Sequence, residues 1–444
     1  MQRLNKIIAW IVLAALTLPV MGQENHAFSI QQALDYAKKN SVHVKNGLLA
    51  IQIQAQTNRE VTGSALPQIK ATGSLVYNAK LPISLIPAEF FGGTPGTFEE
   101  LPFGVKWNAT GGVTLNQVVF DGTVFAGLKA RNALIDYSTK AEELTEETIR
   151  ANIYKVYYQL LVSKTQIELI DSNIALQSKL HHDTKIMFDN GFAEKLDIDK
   201  ITVQIANLQT ERANAATIAT NGYVGLKVLM GMPIKDGLTL TDTLNEEQVK
   251  DGIPDMSAFD YKQRLDYQQA EIGIRLDEYD LKRYRYAKLP TLNLNGYYNK
   301  NAQRDKFDFT NHGDWFGISA FTLNLNIPIF TGFSANARIA RSKLTLQQDT
   351  NLRESLKITI DSDIETAKND FNSALANLDY QKKNMALAQS VFQQTKKKFE
   401  IGTGSQTEIN QAQTDLKAAQ TNYINSLYTA IVAKIDFIKA TGKL

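Results

Sequence analysis

The chain carries a near-copy of itself. Displaced by 211 positions, the sequence lays Phe188-Asp189-Asn190-Gly191 over Phe399-Glu400-Ile401-Gly402 and Ile198 over Ile409. Displaced by 210, it brings Phe120, Gly122, Ala130 and Arg131 onto Phe330, Gly332, Ala340 and Arg341; displaced by 223, it brings Leu66-Pro67 onto Leu289-Pro290. One structural unit therefore occurs twice, and whatever the chain folds into must seat two versions of every element. The expected division is a first repeat at 23–235, a polar linker at 236–256 and a second repeat at 257–444. The shifts 223 and 210 differ by 13, so a 13-residue length change lies between the Leu-Pro and Phe-x-Gly elements, and such changes accumulate in exposed loops.

Most of each copy reads as helix with a heptad seam. Ile149, Ile153, Val156, Leu160, Ser163, Ile167, Ile170, Ile174, Gln177, His181, Thr184 and Phe188 recur at alternating spacings of four and three. The same phase, 211 positions on, runs from Ile360 through Phe371, Leu378 and Phe392 to Phe399. Beyond each tip glycine the seam resumes, at Ile198, Ile201, Ile205 and Leu208 and again at Ile409, Ala412, Leu416 and Ala419. A long helix, a short glycine turn and a returning helix make a coiled-coil hairpin, expected at 121–231 and at 332–441. Ser334 to Phe399 has neither Pro nor Gly, so as one helix it would run about 100 Å at roughly 1.5 Å per residue.

After each Leu-Pro pair the period changes to two. Ile69, Ala71, Gly73, Leu75 and Tyr77 alternate with Lys70, Thr72, Ser74, Val76 and Asn78, while Leu292, Leu294, Gly296 and Tyr298 alternate with Asn293, Asn295, Tyr297 and Asn299. A second strand precedes each Phe-x-Gly. Trp107, Ala109, Val113 and Leu115 lie opposite Asn108, Thr110, Thr114 and Asn116, and Trp315, Phe321, Leu323, Leu325 and Ile327 lie opposite Asn324 and Asn326. Two β-hairpins are expected, at 66–119 and 289–329, with connectors 81–104 and 300–313 as exterior loops. Strands of about ten residues, with one apolar face, one Asn/Thr/Lys/Ser face and aromatics near their ends, match transmembrane barrel strands as well as an ordinary half-buried sheet.

The routing of the chain favours the membrane. Arg3 and Lys6 precede the apolar run Ile7–Val20, and Val20-Met21-Gly22 ends it, which reads as a signal peptide over 1–22. A retained anchor helix is the alternative, but no stop-transfer flank follows. Without Arg3 and Lys6 the 48 basic residues become 46, equal to the 46 acidic ones, so nothing draws the chain to nucleic acid. Cysteine is absent, which excludes disulfides, thiolate metal sites and a lipidated cysteine. Beyond the signal no run of about eighteen apolar residues exists, so a barrel is the remaining way across a bilayer. Four strands cannot close one, since about eight is the smallest size, and the barrel must be shared among subunits.

At this point the residues resemble the TolC-like outer-membrane efflux proteins, the outer membrane factors, across essentially the whole mature chain. The resemblance rests on Ser29-Ile30-Gln31-Gln32-Ala33-Leu34 with Asn40, the Leu-Pro pairs before strands, the Phe-x-Gly helix starts at 120 and 330, Arg264-Leu265-Asp266, the Phe-x-x-Gly tips at 188 and 399, and Leu229-Met230-Gly231 with Ala440-Thr441-Gly442. It implies a mainly α fold with a β-barrel contribution: long coiled-coil hairpins plus four transmembrane strands per subunit in a shared trimeric barrel. It also implies a homotrimer in outer-membrane lipid whose helices form a periplasmic tunnel. The implied role is the channel-tunnel subunit of a tripartite efflux or type I secretion system, with a periplasmic adaptor and an inner-membrane pump of RND, ABC or MFS type. By the resemblance, Asp197 and Glu408 form the gating aperture, and Gly191, Phe192, Ala193, Gly402, Thr403 and Gly404 are adaptor-contacting tips. The chain departs from a relative at Gln411, where a second acid stands, and at Gly404, where an arginine stands.

The bland readings remain beside these. Asp197 and Glu408 also suit the first turn of a helix, where acids meet the positive end of the macrodipole, and the tip residues also suit plain turn chemistry. Nothing points to an enzyme, cofactor or metal: the adjacent His181 and His182 point apart on a helix, and Gly402-Thr403-Gly404-Ser405 lacks the lysine of a phosphate loop. A periplasmic coiled-coil adaptor or scaffold is the alternative class, but it would need one hairpin and no membrane strands.

Overall fold

A computed structural model of the chain describes residues 25–250, 259–309 and 314–444. The expected signal peptide and the end of the inter-repeat linker lie outside the described residues. Eight helices appear among them: α1 (Ile30–Asn40), α2 (Val42–Ser64), α3 (Gly122–Asp189), α4 (Lys195–Met230), the single-turn α5 (Glu247–Lys250), α6 (Leu265–Tyr286), α7 (Ser334–Glu400) and α8 (Gln406–Ala440). Eight strands accompany them: β1 (Asn25–Phe28), β2 (Gln68–Tyr77), β3 (Ile83–Pro87), β4 (Phe98–Pro102), β5 (Trp107–Phe120), β6 (Gly237–Leu240), β7 (Thr291–Arg304) and β8 (Phe316–Asn326). The succession of helix, strands, long helix and returning helix occurs twice. The long helices α3 and α7 have 68 and 67 residues, and the returning helices α4 and α8 have 36 and 35.

The contacts divide the chain into two compact units, each drawn from both copies. The first collects the described residues of Met1–Leu49, Thr139–Gln269 and Glu354–Leu444, and the second collects Ala50–Ser138 with those of Ala270–Arg353.

In the first unit the heptad seam is the core. Ile149, Ile153, Leu160, Ser163, Ile170, Gln177 and Thr184 are buried on α3, and Ile360, Ile364, Phe371, Leu378 and Phe392 on α7. Phe188, at the end of the seam, is instead 40% exposed. Between Tyr157 and Val162 burial widens beyond a seam, taking in Tyr157, Leu161 and Val162. The cause is a short parallel pairing of β1 with β6 beside that turn. There the Tyr157 hydroxyl lies 2.9 Å from the Phe28 carbonyl and 3.0 Å from Asp242 Oδ2, which also accepts from the Ile30 N–H at 2.8 Å.

The motifs that open and close each copy meet one another. The Ser29 motif is a reciprocal cap: the Gln32 N–H donates to Ser29 Oγ at 3.4 Å, and the Ser29 N–H to Gln32 Oε1 at 2.9 Å. Gly231, at φ +70°, passes so near Asn40 that a Cβ would stand 2.3 Å from the Asn40 carbonyl oxygen. Gly442, also at +70°, meets the Gln263 carbonyl in the same way at 2.5 Å, and only glycine fits either place. Arg264 then grips Asp266 through two bonds of 3.1 and 2.6 Å and donates to the Ala440 carbonyl at 3.1 Å.

In the second unit β2, β5, β7 and β8 form one antiparallel sheet in the order β2-β5-β7-β8. The register joins the two copies through β5 and β7 and leaves the outer edges of β2 and β8 unpaired among the described residues. It also aligns the faces read from the sequence. Ile69, Leu115, Gly296 and Phe321 share a row, and Gln68, Asn116, Asn295 and Thr322 share a row on the opposite face. The copy-one connector contains more than loop: β3 and β4 pair as a hairpin of their own, which the Pro and Gly punctuation of 81–104 had concealed.

Candidate functional site

Two regions present chemistry outward, the helix tips of the first unit and the sheet of the second. At the copy-one tip α3 ends as Gly191 turns left-handed at φ +80°, while the Phe192 N–H reaches back to the Met187 carbonyl at 2.8 Å. Phe192 is left 79% exposed. At the copy-two tip Gly402 turns at φ +77°, and the Thr403 and Gly404 N–H groups both reach the Lys398 carbonyl, at 2.9 and 3.0 Å. All six expected tip residues thus lie in, or just after, these two turns, with Ala193 and Gly404 half-buried and the others exposed.

Asp197 and Glu408 occupy equivalent places, the third residue of α4 and of α8. Asp197 Oδ2 accepts from the Glu194 N–H at 3.4 Å, and Asp197 Oδ1 lies 3.8 Å from Lys200 Nζ. Glu408 Oε2 accepts from the Ser405 N–H at 3.4 Å, while its own N–H donates to Ser405 Oγ at 3.2 Å, a complete capping box. Each acid therefore has a local task at the helix start. Glu408 is exposed and has no ion-pair partner among the described residues, so its charge is open to solvent.

Beside these turns lies a groove of about 440 Å³. Leu176, Leu180 and Met187 of α3 face Phe392 and Phe399 of α7 and Ile409 of α8 across it. Sequence reasoning marked the turns but missed this groove, because its walls come from residues more than two hundred positions apart. Deeper in the same bundle Gln177, 3% exposed, donates through Nε2 to Gln204 Oε1 at 2.8 Å and to Gln413 Oε1 at 2.7 Å. That amide ties α3 to both returning helices, a polar layer in the seam between buried Ser163 and Thr184.

On the sheet, one face is apolar and uncovered. Ile69 is 70% exposed, Phe321 76%, Leu323 and Leu325 61% each. Tyr77, Trp107 and Phe307 cluster at one end of the strands, with ring centroids 4.6 and 5.1 Å apart. Elsewhere in this unit Asp277 is pushed up to about 7 by burial, then by its hydrogen bond with Asp349 and by the charges of Asp349 and Asp280. Among the described residues no group of three or more His, Cys, Asp or Glu side chains is arranged to hold a metal ion, and no helix is long and apolar enough to cross a membrane.

Paired long helices and a short antiparallel sheet, with the whole succession duplicated, give a fold that resembles those of solved outer-membrane channels. Residues 261–443 match the family described as "Outer membrane efflux protein". The chain is 22% identical over 451 residues to the outer membrane efflux protein BepC of Brucella suis biovar 1, covering 99% of this chain and 91% of the relative. It is 20% identical over 340 residues to the outer membrane protein TolC of Vibrio cholerae serotype O1, covering 75% of this chain and 76% of that one. In fold it resembles CusC, with a TM-score of 0.75 at 16% identity over 93% of this chain and 92% of the other. The second repeat thus matches the outer membrane efflux protein family, and the whole chain resembles TolC-like outer-membrane efflux proteins; its place is the outer membrane, with the helical part in the periplasm.

Proposed function

We propose that three copies of this chain close one barrel and together form the exit duct of a tripartite efflux or type I secretion system. One observation carries the reading: a four-stranded sheet with a bare apolar face and two unpaired edges. Backbone groups left unpaired in hydrocarbon cost several kcal/mol each, so an edge in lipid must find another strand. Pairing β8 of one copy with β2 of the next satisfies both edges, and three copies of four strands make twelve, within the known barrel sizes. The apolar face then meets lipid and the Asn/Thr face lines water.

On this reading the turns at Gly191, Phe192 and Ala193 and at Gly402, Thr403 and Gly404 meet a periplasmic adaptor, with the groove beside them taking an apolar side chain of that partner. An inner-membrane pump of RND, ABC or MFS type supplies the cargo. Asp197 and Glu408, brought around the three-fold axis, form a ring of carboxylates that favours cations and narrows the mouth. A cap box at each acid supports a second use of the same side chains, because a carboxylate that holds its own helix start is fixed in direction.

The test is the purified mature protein. A detergent-stable, heat-modifiable trimer that conducts in planar bilayers is expected, and a water-soluble monomer would refute the reading. In the conducting protein Asp197→Ala with Glu408→Ala raises single-channel conductance; unchanged conductance removes the gate while leaving the barrel.

A further inference from the structure

The sheet has one polar face, and its charge content is unusual. The residues on it are Gln68, Lys70, Thr72, Ser74 and Val76 of β2 and the matching rows of β5, β7 and β8, which are Asn, Thr, Gly, Tyr and Gln apart from Phe316, Ile318 and Ala320 of β8. Lys70 is the only charged side chain on that face among the described residues of the four strands. Its row is Lys70–Thr114–Tyr297–Ala320, with Gln68–Asn116–Asn295–Thr322 on one side and Thr72–Gly112–Asn299–Ile318 on the other. Lys70 is exposed and has no ion-pair partner among the described residues. The two other strand cations, Lys300 and Arg304, fall on the opposite face by the parity of β7.

We propose that Lys70 sets the charge preference of the barrel lumen, drawing anionic solutes past this level ahead of cationic ones. The proposal rests on the polar face lining the lumen of a shared barrel, as argued above. Twelve strands spaced about 4.8 Å apart and tilted by about 40° give a backbone radius of roughly 12 Å. A lysine stem reaches inward about half that distance, so three such ammonium groups would stand roughly 6 Å from the axis. That is shorter than the Debye length of about 10 Å at 0.1 M salt and longer than the ~3 Å at 1 M. At low salt the three charges act across the whole bore; at high salt they act only at the wall. Their sign is opposite to that of the Asp197 and Glu408 carboxylates, so the barrel and the tunnel mouth would sort solutes by different rules.

The natural chain has no cysteine, so a single introduced thiol reports its own surroundings. With Thr72→Cys in the assembled trimer, the rates of reaction with an anionic (sulfonatoethyl) and a cationic (trimethylammonioethyl) methanethiosulfonate are compared at 0.1 M and 1 M salt. At 0.1 M, adding Lys70→Gln lowers the anionic-to-cationic rate ratio by about threefold, whereas Lys70→Arg keeps it. At 1 M the difference between Lys70 and Lys70→Gln largely disappears. A Ser74→Cys probe, about 13 Å from Lys70 along β2, shows a smaller change. A ratio unchanged by Lys70→Gln at 0.1 M, in a trimer whose Thr72→Cys thiol does react, overturns the proposal and leaves the barrel reading standing. Reaction at Ala71→Cys with protection at Thr72→Cys overturns the assignment of faces itself, and the proposal with it.

Discussion

The two returning helices α4 and α8 hold the same place in their copies and are almost equal in length, yet they are dressed differently. In α8 fourteen residues are buried, from Ile409 at the tip to Phe437 and Ala440 at the far end. In α4 four are buried, Ile201, Leu208, Leu226 and Met230, while Val203, Ile218 and Val228 stand 59%, 62% and 62% exposed. Duplication supplied the same scaffold twice, and the two copies then diverged in where they find cover. The α8 helix finds it inside its own chain, where Phe437 stacks on Phe371 with centroids 6.1 Å apart. The α4 helix leaves Val203, Ile218 and Val228 uncovered among the described residues, like the apolar face of the sheet.

The contrast can be broken by substitution. Phe437→Ala removes a buried ring from the α8 core and is expected to lower stability by about 3–5 kcal/mol, read from denaturant unfolding of the detergent-solubilised protein. Ile218→Ala in α4 should shift the unfolding of the separated subunit far less. On the sheet, Leu325→Arg is expected to impair membrane assembly more than Asn326→Arg, by up to about 1 kcal/mol so near the strand end; equal effects would contradict the outward face. Ile218→Asp with Val228→Asp should leave helix content unchanged by circular dichroism while depleting the heat-modifiable trimer, and an undiminished trimer would show that the α4 stripe is not an interface. The effects at the helix starts are comparably small. Ser405→Ala takes about 1 kcal/mol from α8, and Glu194→Ser adds up to about 1 kcal/mol to α4, whose natural cap residue is outside the preferred set.

Much of this was legible from residue order. Period two in Ile69–Tyr77 and Leu292–Tyr298 placed the strand faces, because side chains alternate strictly about a pleated backbone. The four-three spacing placed Ile153, Leu160, Phe371 and Leu378 in the core for the equivalent reason in helices. Burial at Tyr157, Leu161 and Val162 was not legible, since it depends on β1 and β6, two four-residue strands too short to leave a periodic trace. The β3–β4 hairpin was hidden by its own prolines and glycines, which signal a turn more strongly than a strand. At the tips the turns and the first-turn acids were readable, since the bonds of Asp197 and Glu408 span only three residues, but the groove walled by Leu180 and Phe399 depends on three-dimensional neighbours.

The bare edges of β2 and β8 carry a genetic consequence. If rings close only by mutual pairing, a subunit spoiled along one edge still offers the other, and so captures sound neighbours into rings that never seal. With half the chains defective, only about one ring in eight would be wholly sound when three are drawn at random. Such an allele would act dominantly, whereas one that unfolds α8 would simply be lost and remain recessive.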